Sequence, residues 1–234
     1  DVSVSGGNTG VRYYLSGGAL SQDGLRMGSS YKKVFGRINL DAKLNDWVRA
    51  NINTQVSYDA TRVSPFGNNN AVGGGLAAMN APFASPYDPN TGKELVRVPL
   101  LDIATPSHVI STNPAKTNNF ILSTNGNLTI TPLKNLTLRS LIGLELDYGN
   151  SRSRTLPSYY RAYGNGSSER SFSMASNITI TNTASYNMTF GDHHLTTLLG
   201  HEYTNYKDDG FSAAGSGILD DRLYLLNNAT KNKN

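Results

Sequence analysis

Residues 45–59 read NDWVRANINTQVSYD, and their polarity alternates from Val48 onward. Val48, Ala50, Ile52, Thr54, Val56 and Tyr58 hold one parity, while Arg49, Asn51, Asn53, Gln55 and Ser57 hold the other. Successive side chains of a strand point to opposite faces, so a period of two predicts a strand with one apolar and one polar side. Two architectures accept such a strand. In a sandwich the apolar side packs on a second sheet; in a membrane barrel it meets lipid while the polar side lines a lumen.

The alternation recurs along the chain. Over residues 31–44, Val34, Gly36, Ile38, Leu40, Ala42 and Leu44 oppose Phe35, Arg37, Asn39, Asp41 and Lys43. Phe120, Leu122, Thr124, Gly126, Leu128 and Ile130 form a further apolar set, and Leu136, Leu138, Ile142, Leu144, Leu146 and Tyr148 another. Ile178, Ile180, Ala184, Tyr186, Met188 and Phe190 continue it within residues 171–190. With runs at 2–5, 11–20 and 193–207, this predicts about eight strands, the chain reading as loop from about Asp208.

The connections are of two kinds. After the first, third, fifth and seventh runs come short turns: GGNTG, Asn45-Asp46, PLKN and Gly191-Asp192. After the others come longer links, one at 21–30, SQDGLRMGSS, and one at about 150–170 carrying SYYRAYGNG. The longest spans about residues 60–117 and holds Pro65, Pro82, Pro86, Pro89, Pro99, Pro106 and Pro114. Within it a short helix is expected near residues 75–80, and DPNTGK at 88–93 has the composition of a turn. Long loops at one end and tight turns at the other favour the outer-membrane barrel over the sandwich. The expected fold is therefore all-β: a portion of an antiparallel transmembrane barrel with short periplasmic turns and long extracellular loops.

Composition agrees. Charged residues make up only 16% of the chain, and the abundant Asn, Thr, Ser and Gly suit strands and turns. No apolar run approaches the roughly 20 residues of a spanning helix. Trp47, Tyr58, Tyr148, Tyr186 and Phe190 fall near strand ends, where interfacial girdles form. A net charge of +4, scattered rather than clustered, does not predict nucleic-acid binding.

No catalytic arrangement is expected. SSYK and SYKK at residues 29–33 fit S-x-x-K, but its partner motifs are missing, and there is no G-x-S-x-G. His193, His194, His201 and Glu202 lack zinc-site spacing, and Asp208-Asp209 and Asp220-Asp221 lack the pattern of a calcium loop. Without cysteine there is no thiolate site or disulfide. No cofactor or metal is expected. The ligand candidates are Tyr159, Tyr160 and Tyr163 around Arg161, because aromatic faces cover apolar ligand surface and Arg pairs with acidic groups. Arg37, Arg49, Arg139, Glu145 and Asp147 are expected to face a lumen, as an electrostatic ladder stabilising the wall or touching a plug.

Five stretches carry a resemblance to the SusC/RagA family of TonB-dependent outer-membrane receptors. They are VSVSGGNTGVRYYLSGGALSQDGL, YKKVFGRINLDAKLNDWVRANINTQVSY, PFASPYDPNTGK, LKNLTLRSLIGLELDY and HHLTTLLGHEYTNYKDDGFSAAGSGILDDRLYLLNNA, in that order. The resemblance implies a 22-stranded barrel in the outer membrane, closed by a plug and surrounded by lipid. It also implies import of large glycans or peptides, with a SusD-like lipoprotein as lid and energy from the TonB complex. The 234 residues show no plug, no TonB-contacting segment and no terminal aromatic strand, so they read as an internal barrel fragment. Two other readings stand beside it: a complete small eight-stranded barrel with a structural or adhesive role, and a soluble β-sandwich that binds glycans.

Overall fold

The computed structural model describes residues 1–25, 27–63, 85–98, 103–223 and 225–231. The strands are β1 (Val2–Gly7), β2 (Val11–Asp23), β3 (Ser30–Lys43), β4 (Val48–Val63), β5 (Arg97–Val98), β6 (Ile103–Ala104), β7 (Ala115–Leu133), β8 (Leu136–Thr155), β9 (Gly166–Phe190) and β10 (His193–Ile218). A short helix, α1 (Pro106–Thr112), precedes β7, and a 3-10 turn (Leu226–Asn228) follows β10. Eight strands form one antiparallel sheet in the order β1-β2-β3-β4-β7-β8-β9-β10, and β5 and β6 make a separate small hairpin. One sheet replaces the two of a sandwich, which corrects that reading. Nor do β1 and β10 pair with each other, so the eight strands do not close into a small barrel of their own.

Pairing register turns the parity of the sequence into two continuous faces. Tyr13, Leu40, Ile52, Gly126, Ile142, Ile180 and Tyr203 lie opposite one another in turn from β2 to β10. The neighbouring row on the other face runs Arg12, Asp41, Asn51, Asn127, Leu141, Thr181 and Glu202. A slip of one residue in any strand would exchange these faces, so the pattern itself holds the register. The tight turns fit their residues. The Asn8 side chain accepts from the backbone N–H groups of Gly10 and Val11, Asn45 accepts from Trp47, and Gly191 has the positive φ of 59° that a two-residue hairpin needs.

Burial runs opposite to that of a soluble sheet. Ile38, Ile52, Ile142 and Tyr203 on the apolar face are about half exposed. Among the described residues the fully buried hydrophobic side chains are Val98, Ala104, Val109, Tyr159, Ile218 and Ala229, all at the long-loop end of the sheet. At that end an aromatic row crosses the apolar face: Phe120, Tyr148, Phe172 and Phe211 have successive ring centroids 6.2, 6.3 and 6.0 Å apart, and Tyr58 pairs with Phe120. From Val48 up to Tyr58 is about ten residues, roughly 33 Å along the strand and ~25 Å along the membrane normal at a 40° tilt, the height of a lipid-facing band.

Several strands run past their predicted ends. The segment from Asp208, expected as loop, continues β10 to Ile218 against β9. The link expected at about 150–170 shrinks to residues 156–165, because β8 reaches Thr155 and β9 starts at Gly166. In these extensions both faces are polar, as in Ser167–Ser216 on one and Arg152–Arg170 on the other, so a ladder forms with no alternation to announce it. The long connection occupies residues 64–114 and is partly ordered by β5, β6 and α1. The turn expected at DPNTGK forms, with Asp88 Oδ1 accepting from the N–H groups of Asn90 and Thr91 at 2.8 and 2.9 Å. The helix expected near residues 75–80 lies outside the described residues.

Candidate functional site

Two regions carry the polar chemistry: the loop cap above the sheet and the polar face below it. In the cap, residues 156–165 wind through successive turns, with Tyr159 N–H bonded to Leu156 O, Ala162 N–H to Tyr159 O and Asn165 N–H to Ala162 O. These turns point the three tyrosines in different directions. Tyr159 is only 7% exposed and packs against Ala104 and Val109, the latter from α1. Its ring stacks on His108 at 5.8 Å and meets the edge of Tyr160 at 5.2 Å. Helix α1 is tied to β8 by backbone bonds from Leu156 N–H to Thr112 O and Arg154 N–H to Pro114 O, and by Thr155 Oγ1 donating to Asn113 Oδ1. A further tie runs from Ser158 N–H to Asp221 Oδ1 in the segment after β10.

Tyr160 lies between this packed layer and solvent. The guanidinium carbons of Arg97 and Arg161 sit 5.8 and 5.3 Å from its ring centroid, a cation–π arrangement that holds two positive groups beside one aromatic face. Tyr163 is 85% exposed and has a φ of 51°, an uncommon left-handed conformation for a bulky residue. The four residues singled out in the sequence thus divide. Tyr159 is a packing residue, Tyr160 and Arg161 form a platform, and Tyr163 projects outward. Arg97 and His108 complete the arrangement from the other loop, and no spacing in the sequence links them to residues 159–163.

Burial shapes the ionisation of the cap. It raises the Tyr159 hydroxyl above its ordinary value, and it lowers the His108 imidazole below 6.5 against an opposing pull from Glu94. At His108 the unfolded cap therefore binds a proton more readily than the folded one. Its packing is at full strength above about pH 6.5 and weakens as the pH falls below that value. Hydrogen exchange of residues 104–112 should accelerate between pH 7 and 5 beyond the intrinsic trend, and His108→Phe should remove the excess.

The polar face holds Arg37, Arg49, Arg139, Glu145 and Asp147 on one side of the sheet. Among the described residues no ion pair joins these five to one another. Instead Arg37 donates to Gln55 Oε1 at 2.8 Å and Arg139 donates from Nε to Asn127 Oδ1 at 2.7 Å. Among the described residues, the inter-strand ion pair on this face is Arg12–Asp41, at 4.0 Å between exposed groups. Glu145 and Asp147 border a concavity of about 290 Å³ with Ser123, Asn177 and Tyr206. His193 and His194 point to opposite faces, and His194 Nδ1 lies 2.9 Å from Thr189 Oγ1.

Searches of family models and of curated proteins find no match to the chain. Solved structures do match. The chain superposes on a structure of the RagAB peptide importer in the closed-closed state with a TM-score of 0.84 and 26% identity. The open-open state gives 0.85 and a further structure, of the RagAB peptide transporter, gives 0.83, each at 26% identity. The superposition takes in 98% of this chain. The eight-stranded sheet has the fold of part of these importers, which fits the SusC/RagA resemblance of its sequence. The chain spans about a quarter of the solved chains, 26% of their length, as one open eight-stranded sheet.

Proposed function

We propose that this segment is one side of the wall of an outer-membrane importer for peptides or oligosaccharides, with peptides favoured. The observation that carries the reading is the exposed apolar face, bounded by an aromatic row, on a sheet that superposes on a peptide importer. That face meets outer-membrane lipid, and the polar face lines the lumen. Arg37, Arg49, Arg139, Glu145 and Asp147 then face the lumen, where their hydrogen-bonding groups contact a plug or passing solute.

The loop cap stands at the extracellular mouth. Its Arg97–Tyr160–Arg161 platform and the projecting Tyr163 provide aromatic surface and positive charge suited to a peptide with a carboxylate, or to a SusD-like lipoprotein seated over the mouth. Coupling to the TonB complex would run through a plug elsewhere in the whole protein. Transport needs no chemical step on the solute, so the chain acts by binding and passage.

The test is uptake by cells expressing the full-length protein, compared with cells lacking it, using fluorescent peptides and oligosaccharides in separate assays. Loss of peptide uptake on deletion, restored by the gene, supports the reading. Unchanged uptake of both solute classes contradicts it.

A further inference from the structure

Three polar side chains interrupt the apolar face in one row. Ser140 on β8, Asn182 on β9 and His201 on β10 lie directly opposite one another. The row on one side of them is Leu138, Ala184 and Leu199, and the row on the other is Ile142, Ile180 and Tyr203. Two other polar contacts on this face are closed within the sheet: Thr54 and Thr124 share a hydrogen bond of 2.7 Å, and Asn205 Nδ2 donates to the Tyr203 hydroxyl at 3.1 Å. Among the described residues no side chain or backbone group bonds to the side chains of Ser140, Asn182 or His201. In hydrocarbon an unpaired polar group is costly, so such a row calls for a partner from outside the strand pair.

The shape beside the row narrows the partner. Small residues, Ser140 and Ala184, sit between Leu128, Leu138 and Leu199 and leave a groove of about 310 Å³ that contains the polar row. Ser140 is about eight residues below Tyr148 of the aromatic row, roughly 27 Å along the strand and ~20 Å along the normal, near the far edge of a 25 Å lipid-facing band. That depth is where lipid ester groups meet acyl chains. We propose that Ser140, Asn182 and His201 form a binding site for a membrane glycerolipid of the periplasmic leaflet. Its ester and glycerol oxygens take the donors of the row, its acyl chain runs up over Ile142 and Ile180, and the groove lets its polar part approach the strands. The site rests on the reading of the apolar face as lipid-facing.

The test uses the full-length protein, purified from membranes and washed with detergent, with bound lipid read by native mass spectrometry. The wild type should retain a glycerolipid through the wash, and the Asn182→Leu, His201→Leu double variant should lose at least tenfold of that retention. Ser140→Ala, which leaves the two larger side chains, should give a smaller loss. Gel migration of unheated samples checks that each variant is a folded barrel. Equal retention in wild type and double variant, or no retained lipid in the wild type, overturns the site and leaves the barrel intact. A photo-crosslinker replacing Leu199 that captures a protein in place of lipid overturns it as well. Recovery of the wild type outside the membrane fraction would instead remove the barrel reading itself.

Discussion

Leu144→Arg should sharply lower accumulation of the folded protein in the outer membrane, whereas Glu145→Arg should leave it near the wild-type level. The two residues are adjacent in β8 but face opposite ways. Leu144 lies between Thr124 and Ile178 on the apolar face, and Glu145 between Ser123 and Asn177 on the polar one. An arginine facing lipid near the middle of the bilayer costs about 2–4 kcal/mol in a barrel, while one facing the lumen stays hydrated. Against the roughly 5–15 kcal/mol by which a typical domain is stable, the first substitution removes a sizeable share. Heat-modifiable migration on gels reads the folded fraction. Equal loss in both variants would mean that the two faces are alike in their surroundings.

The second large effect belongs to the loop cap. Tyr159→Ala removes the buried ring that joins Ala104 and Val109 to residues 156–165. Large-to-small changes of buried aromatic residues cost about 3–5 kcal/mol, which exceeds what a small cluster of loops commonly holds. The cap should therefore open, with faster hydrogen exchange at residues 104–112 and 156–165, while the sheet keeps its protection. Tyr163→Ala should change neither, since that side chain is solvated. Peptide uptake separates their roles. Loss in both variants assigns Tyr163 to ligand or lid contact, and loss in Tyr159→Ala alone assigns the cap a supporting part.

The sheet was legible wherever one face of a strand is apolar and the other polar. Residues 48–58 show this best, because every even side chain lands on the apolar face and every odd one on the polar face, as their pairing with β3 and β7 requires. The upper ends of β8, β9 and β10 were not legible for the same physical reason. There Arg152 faces Arg170 and Ser167 faces Ser216, both sides are polar, and only backbone ladders extend the strands.

The cap was half legible. Tyrosines at 159, 160 and 163 stand out in the sequence, but their division into a packed, a platform and a projecting residue depends on turns and on contacts made through space. His108 and Arg97 come from a hairpin and helix too short to leave a periodic signal. The ladder expected among the five polar-face residues gave way to hydrogen bonds with neutral neighbours. Gln55 and Asn127 lie within reach of Arg37 and Arg139, whereas Arg37 and Glu145 are separated by β4 and β7.

The most direct measurement is the accessibility of single cysteines introduced in turn at residues 48–58 of the full-length protein in native membranes. Spin labels there report collision with oxygen, which concentrates in lipid, and with a water-soluble nickel complex. Residues 48, 50, 52, 54 and 56 should favour oxygen, and residues 49, 51, 53, 55 and 57 the nickel complex, with the preference alternating at every step. Uniform access to the nickel complex along the strand would show water on both faces and would contradict a membrane barrel wall.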